Sequence, residues 1–446
     1  MKTRISLLFM VLTLTVMVGC RGQEPSDQSP DEYSADIAYA WLNMQRRLLN
    51  GTPGILPHTA GRTYAYVGLT LYESLVPGME SCQSLGPQLN GGELRLPMAE
   101  EGTIYYWPAS ANAALASILR ALLPHTPPNL ASSIDSMEMH YHDLFQQEVD
   151  PEILQRSVDF GQSVAAAIFE WSTTDGARDA YKSPFADDYV PPTGPGKWVS
   201  TGEFPFDQPV YPYWGSLRSF VNGSADATQP PPPPTYSEEP GSPFYEAVNE
   251  IYTMSQHLTH DDSVVAKFWA YAPLDPERPL SFEGTGHAAN MAVQVMKKKN
   301  YTLEDAAVLI CKHALAGHEA GISCVKTKFT YNLVRPITYI HNVLGHRQWK
   351  PVIPTPPFPE YTSGHAAVSM AYAAILEAEF GTNYAFTDHT FDGTFGPRKF
   401  ESFEAYAKEA ALSRLKGGIH YRFAMDAGLK QGRMVASKVL QLKFKR

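Results

Sequence analysis

Seven residues in the last quarter of this 446-residue chain have types and spacing that could do chemistry together. They are Lys328, Arg335, Ser363, Gly364, His365, Arg414 and His420, carried by three short segments: KFTYNLVRP at 328–336, TSGH at 362–365 and SRLKGGIH at 413–420. The set supplies three fixed cations, a hydroxyl beside a glycine amide, and two imidazoles. A tetrahedral oxyanion such as phosphate or vanadate suits it better than any other common ligand. An arginine fork grips two oxygens at once and a lysine acts as a point charge.

The elements that must position these groups are legible in part. Lys328 and Arg335 stand seven residues apart, which predicts that both leave one face of a helix ending at Pro336. Ser363 and Gly364 follow a proline-rich stretch and precede a strongly apolar run, which predicts a helix N-terminus, where free amides and the macrodipole attract anions. Arg414 and His420 are six apart and would diverge on a regular helix, but Gly417 and Gly418 permit a break that re-aims them. His365 could act as an acid or base, and His420 as a nucleophile or a metal-oxyanion ligand.

In this order and spacing, the three segments resemble the signature of the superfamily that joins type 2 phosphatidic acid phosphatases, bacterial acid phosphatases and vanadium-dependent haloperoxidases. Thr362 stands where that signature usually has Pro. Phosphatase members often have Asp four residues after the last His, where it orients the ring; here that residue is Ala424, and Asp426 is poorly placed to replace it. The stretch DDSVVAKFW at 261–269, Gly286-His287, residues 303–321 and residues 354–365 are similar to the bacterial haloperoxidase-like branch.

The resemblance implies an all-α helical bundle. It implies vanadate as cofactor, held by Lys328, Arg335, Ser363, Gly364 and Arg414, with His420 as the vanadium ligand. His365 would be the acid–base group for hydrogen peroxide, Phe358 would line the pocket, and halide would be oxidised. The same residues could instead serve a phosphomonoesterase that needs no cofactor, with a phosphohistidine at His420 and His365 protonating the leaving oxygen. Chain length and the missing carboxylate at 424 favour the haloperoxidase. An oxyanion-binding lipoprotein without turnover is a third reading. The small-molecule partners are therefore peroxide and halide, or a phosphate ester.

Lys2 and Arg4 precede an apolar run at 5–18 and then Gly19-Cys20, the pattern of an export signal with a lipobox-like junction. This predicts a signal peptide at 1–19, lipidation at Cys20, a polar tether at 20–34, and a periplasmic or outer-membrane lipoprotein of a bacterium. Behind it come an N-terminal helical part at 35–260 with a long Pro-rich loop, and a catalytic part at 261–446. Helix-like spacing marks 37–49, 59–75, 109–123 and 153–171. Residues 182–242 read as the loop or a weak boundary.

Apolar residues make up 44% of the chain and mean hydropathy is -0.25, so a multi-span lipid phosphatase is not expected. The net charge of -10 argues against nucleic acid as partner. Cys82, Cys311 and Cys324 read as free buried thiols. His313, His318 and Glu319 read as core residues or as supports behind a site, and His140 and His142 as surface ones. His287 could help frame the pocket.

Overall fold

The computed structural model describes residues 28–90, 94–203, 207–270 and 285–446. The export signal, Cys20 and most of the tether lie outside them. The expected all-α architecture is present. Helices α1 (Asp36–Gly51), α2 (Pro57–Glu73), α3 (Trp107–Leu122), α4 (Pro128–Phe145) and α5 (Pro151–Ser172) come first. After the irregular segment with its short α6 (Ser224–Ala227) come α7 (Pro243–Ser255), α8 (His260–Ala270) and α9 (His287–Lys298). The last six are α10 (Leu303–Tyr331), α11 (Pro336–Asn342), α12 (Gly364–Phe380), α13 (Asp392–Phe395), α14 (Phe403–Lys416) and α15 (Arg422–Val439). One antiparallel hairpin, β1 (Phe386–Asp388) with β2 (Arg398–Phe400), pairs Phe386 with Phe400 and Asp388 with Arg398.

Helix α10 is the axis of the bundle, packed by α2 on one side and by α12 and α15 on the other. The main apolar core runs without a break from Ala35 to Phe444 and so joins the first helices to the last. The crossing of α12 and α15 depends on glycine. A Cβ at Gly432 on α15 would lie 2.0 Å from the carbonyl oxygen of Ala367 on α12, so the two backbones touch there.

The helix starts follow their caps. The Thr302 hydroxyl accepts from the Asp305 amide at 3.2 Å, and Ser402 from Ala405 at 3.0 Å. Residues 182–242 are largely irregular, as expected, yet they are packed: Val210, Tyr211 and Trp214 bury against Ile322 and Val325 of α10. Cys82, Cys311 and Cys324 are free and buried. No helix among the described residues is long and apolar enough to cross a membrane.

Candidate oxyanion site

One expected element is different. Helix α10 stops at Tyr331, four residues before Arg335, because Asn332 turns into the left-handed region (φ 49°) and caps it. The amide of Val334 then pairs with Gly196 O at 2.9 Å, and Arg335 becomes the N-cap of α11. Lys328 and Arg335 therefore do not share a helix face. They meet across the turn, with Lys328 Nζ 5.1 Å and Arg335 Cζ 5.2 Å from the centre of the Phe358 ring.

The other two segments are built as expected. Ser363 is the N-cap of α12, its hydroxyl accepting from Ala366 N at 3.5 Å and its amide donating to Ala424 O at 3.1 Å. The amides of the first turn have no acceptor within the helix. A Cβ on Gly364 would meet nothing nearer than Cys324 Sγ at 3.9 Å, so the backbone there is open to close approach. Helix α14 ends at Lys416, and Gly418 (φ +81°) turns the chain so that His420 comes back beside Arg335.

Lys328 and Arg335 are buried, as are Ser363, Arg414 and His420, while His365 is half-buried. Lys328 Nζ donates to the carbonyls of Pro359 (3.1 Å), Glu360 (2.8 Å) and Thr362 (2.5 Å), so it frames the loop before α12 and reaches an anion mainly through its charge. Arg335 Nε donates to Phe358 O at 2.9 Å and Nη1 to Ile419 O at 2.9 Å. Its Nη2 is buried with no partner among the described residues. Arg414 donates from Nη2 to Ala266 O at 3.1 Å. His365 donates from Nε2 to Trp269 O at 2.9 Å. Both carbonyls belong to the second half of α8. The stretch at 261–269 thus serves the site through its backbone.

Burial dominates the electrostatics. It pushes the Lys328 ammonium down to about 8 and the Arg335 guanidinium down to about 10. The His420 imidazole is held well below its ordinary value by burial and then by Arg335, Lys328 and Arg414. His365 is lowered by burial, then by Arg414. These couplings place Arg335, Lys328, Arg414 and His365 within electrostatic reach of His420. A buried patch with this excess of positive charge is stabilised by an anion.

Glu360 escapes sequence reasoning. It is fully buried, and its Oε1 lies 2.6 Å from His420 Nδ1 and 3.0 Å from the Tyr421 amide. Burial raises its carboxyl to about 7 against the pull of Arg335 and Lys328. Its one visible signal is that it is the only carboxylate in the Pro-rich run before TSGH.

His58 on α2 is a second addition. Its ring packs at 5.9 Å on Phe358, and burial with Lys328 beyond lowers it to about 4. His287 forms a buried pair with Asp388 at 2.6 Å, and its ring lies 5.1 Å from that of Trp269, behind His365. His313, His318 and Glu319 are core residues as expected, and no group of metal-ligating side chains is found among the described residues.

Residues 308–445, which hold the whole constellation, match the family model of the VCPO second helical-bundle domain. The crystal structure of the first bacterial vanadium-dependent iodoperoxidase superposes with a TM-score of 0.80 at 29% identity, over 93% of this chain and 98% of that one. These matches support the vanadium haloperoxidase superfamily for this chain. The holo form of a bacterial vanadium-dependent chloroperoxidase shares the fold at 18% identity, with a TM-score of 0.67 over 89% of this chain and 95% of that one. An apo-type structure of a bacterial vanadium-dependent chloroperoxidase gives 0.68 at 16% identity over 88% and 94%. No curated protein sequence matches the chain. Of the seven residues singled out by spacing, five are buried around the ends of α10, α12 and α14, and Gly364 and His365 are half-buried beside them.

Proposed function

We propose that this protein is a vanadate-dependent haloperoxidase that uses hydrogen peroxide to oxidise halide, with iodide the first halide to test. The observation carrying this reading is the pairing of His420 Nε2 with the buried Arg335, whose Nη2 has no partner among the described residues. Such an orphan donor, beside an open glycine amide at a helix N-terminus, fits an oxyanion. Arg335, Arg414, Ser363 and Gly364 would hold vanadate, Lys328 would add charge, and His420 would supply the nitrogen ligand. Vanadate bound there supplies a Lewis-acidic centre at which peroxide becomes electrophilic toward halide. His365, kept neutral by burial and Arg414, is suited to take a proton from arriving peroxide. The test is triiodide formation from iodide and peroxide, with and without orthovanadate. Activity should require vanadate and vanish in His420→Ala; halide oxidation absent from vanadate-loaded protein would sink the reading.

A phosphomonoesterase is the second reading, and Glu360 is the observation that favours it. The absence of Asp at 424 loses its force as an argument against phosphohistidine chemistry once a different carboxylate contacts His420. Turnover of a chromogenic phosphate ester, inhibited by vanadate and abolished in His420→Ala, would support it. We also propose export with lipidation at Cys20. The mass of the mature N-terminal peptide checks this, and an unmodified Cys20 in the exported protein would refute it.

A further inference from the structure

The proposed chemistry needs one nitrogen of His420 to keep a lone pair facing the anion. The surroundings of the ring decide which one. Arg335 Nη1 lies 3.2 Å from His420 Nε2, and a guanidinium has only donors to offer, so Nε2 must accept. The ring proton then sits on Nδ1 and points at Glu360 Oε1, 2.6 Å away. The Tyr421 amide donates to the same oxygen at 3.0 Å, so Oε1 receives two N–H groups and is itself an acceptor.

Glu360 is fixed from its backbone as well. Its amide donates to Leu333 O at 3.0 Å and its carbonyl accepts from Lys328 Nζ at 2.8 Å. One residue, two positions before the second motif segment, thus touches both of the others. A charge-balancing role alone would place the carboxylate on Lys328 or Arg335. Among the described residues it contacts neither within ion-pair distance and meets His420 instead. The position four residues after His420 does something else, since the carbonyl of Ala424 receives the Ser363 amide.

We propose that Glu360 is the positioning residue of this site, holding His420 in the tautomer protonated at Nδ1 so that Nε2 keeps its lone pair, which Arg335 Nη1 occupies in the anion-free protein and yields to a bound anion. In this chain, therefore, the orienting carboxylate comes from the loop before the second motif and not from the helix after the third. This rests on reading His420 as the nitrogen ligand of the oxyanion. Partners of this kind tune ligand affinity by 10- to 100-fold.

The test uses the full chain labelled with 15N-histidine, free of vanadate, with His420→Gln to assign the ring signals. Wild type should show Nδ1 protonated and Nε2 unprotonated at His420. Glu360→Gln keeps an acceptor oxygen and should retain that tautomer. Glu360→Ala should lose it and weaken orthovanadate binding, read by calorimetry, by roughly 10- to 100-fold. Thermal melts confirm that each variant is folded, and the isosteric Gln variant carries the test if the Ala variant is not. A wild-type ring protonated at Nε2, or an Ala variant with unchanged tautomer and affinity, overturns the proposal. Failure of wild type to bind orthovanadate overturns the oxyanion reading instead, because the tautomer is measured without any anion.

Discussion

Arg335 gives two of its N–H groups to the carbonyls of Phe358 and Ile419 and keeps Nη2 buried with no partner among the described residues. Lysine has the charge but not the planar fork, so Arg335→Lys would orphan at least one of those buried carbonyls. The loss should be about 1–3 kcal/mol of stability per orphaned group, together with an anion affinity lower by more than tenfold. Melting temperature and orthovanadate titration check the two effects separately; unchanged affinity would show that Arg335 only braces the loop. At this scale much of the site was readable in advance, because each motif residue is a charged or polar group at a fixed offset. Glu360 was not readable. Its partner lies sixty positions away, and nothing local distinguishes a carboxylate aimed at an imidazole from one facing water. The break at Asn332 had a signal, a residue type that tolerates the left-handed region, but Pro336 gave a stronger competing stop.

Helices α12 and α15 set the position of Ser363 and Gly364 through a contact with no spare room. A Cβ at Gly428 would lie 2.8 Å from Ser363 O, against the motif itself. A Cβ at Gly161 would come even closer to a carbonyl, 2.1 Å from Ser110 O, but at the crossing of α3 and α5. Both Gly→Ala variants should be destabilised, by about 1–3 kcal/mol or more. Gly428→Ala should also weaken orthovanadate binding in the folded protein, whereas Gly161→Ala should leave it intact. Equal affinities in the two variants would contradict the placement of α12 by α15. The long helices were legible because apolar period and proline starts agree over three or more turns: α1, α2, α3 and α5 begin within two residues of their expected starts. The β1–β2 hairpin was not, since three-residue strands are too short to show a period.

For the whole molecule, the continuous core means that the first helices help to build the pocket of the last, as His58 under Phe358 illustrates. The same core buries groups whose titration sets acid stability. Burial lowers His58 to about 4 and His313 and His318 to about 3, and depresses His365 and His420 as well. It raises Glu73, Glu319 and Glu360 to about 7. Below its ordinary value near 6.5, each imidazole is protonated in the unfolded chain but not in the fold, so stability falls with pH. Each carboxyl works the other way from about pH 7 to 4.5, where only the fold keeps the proton. Each group contributes up to about 1.4 kcal/mol per pH unit. Five imidazoles against three carboxyls predict a shallow decline from pH 6.5 to 4.5 and a steep one below, once the carboxyls are protonated in both states. Urea midpoints of the vanadate-free protein across this range check it, and a midpoint that holds to pH 3 would contradict it. Contacts such as His58 with Phe358 join residues some three hundred positions apart, so no local pattern announces them.

The central claim is a single buried oxyanion pocket organised around His420. Calorimetric titration of the purified full chain with orthovanadate, beside His420→Ala, tests it most directly. One vanadate per chain should bind to the wild type, with binding lost in the variant. No binding to folded wild type, or the same affinity in both proteins, would contradict the claim.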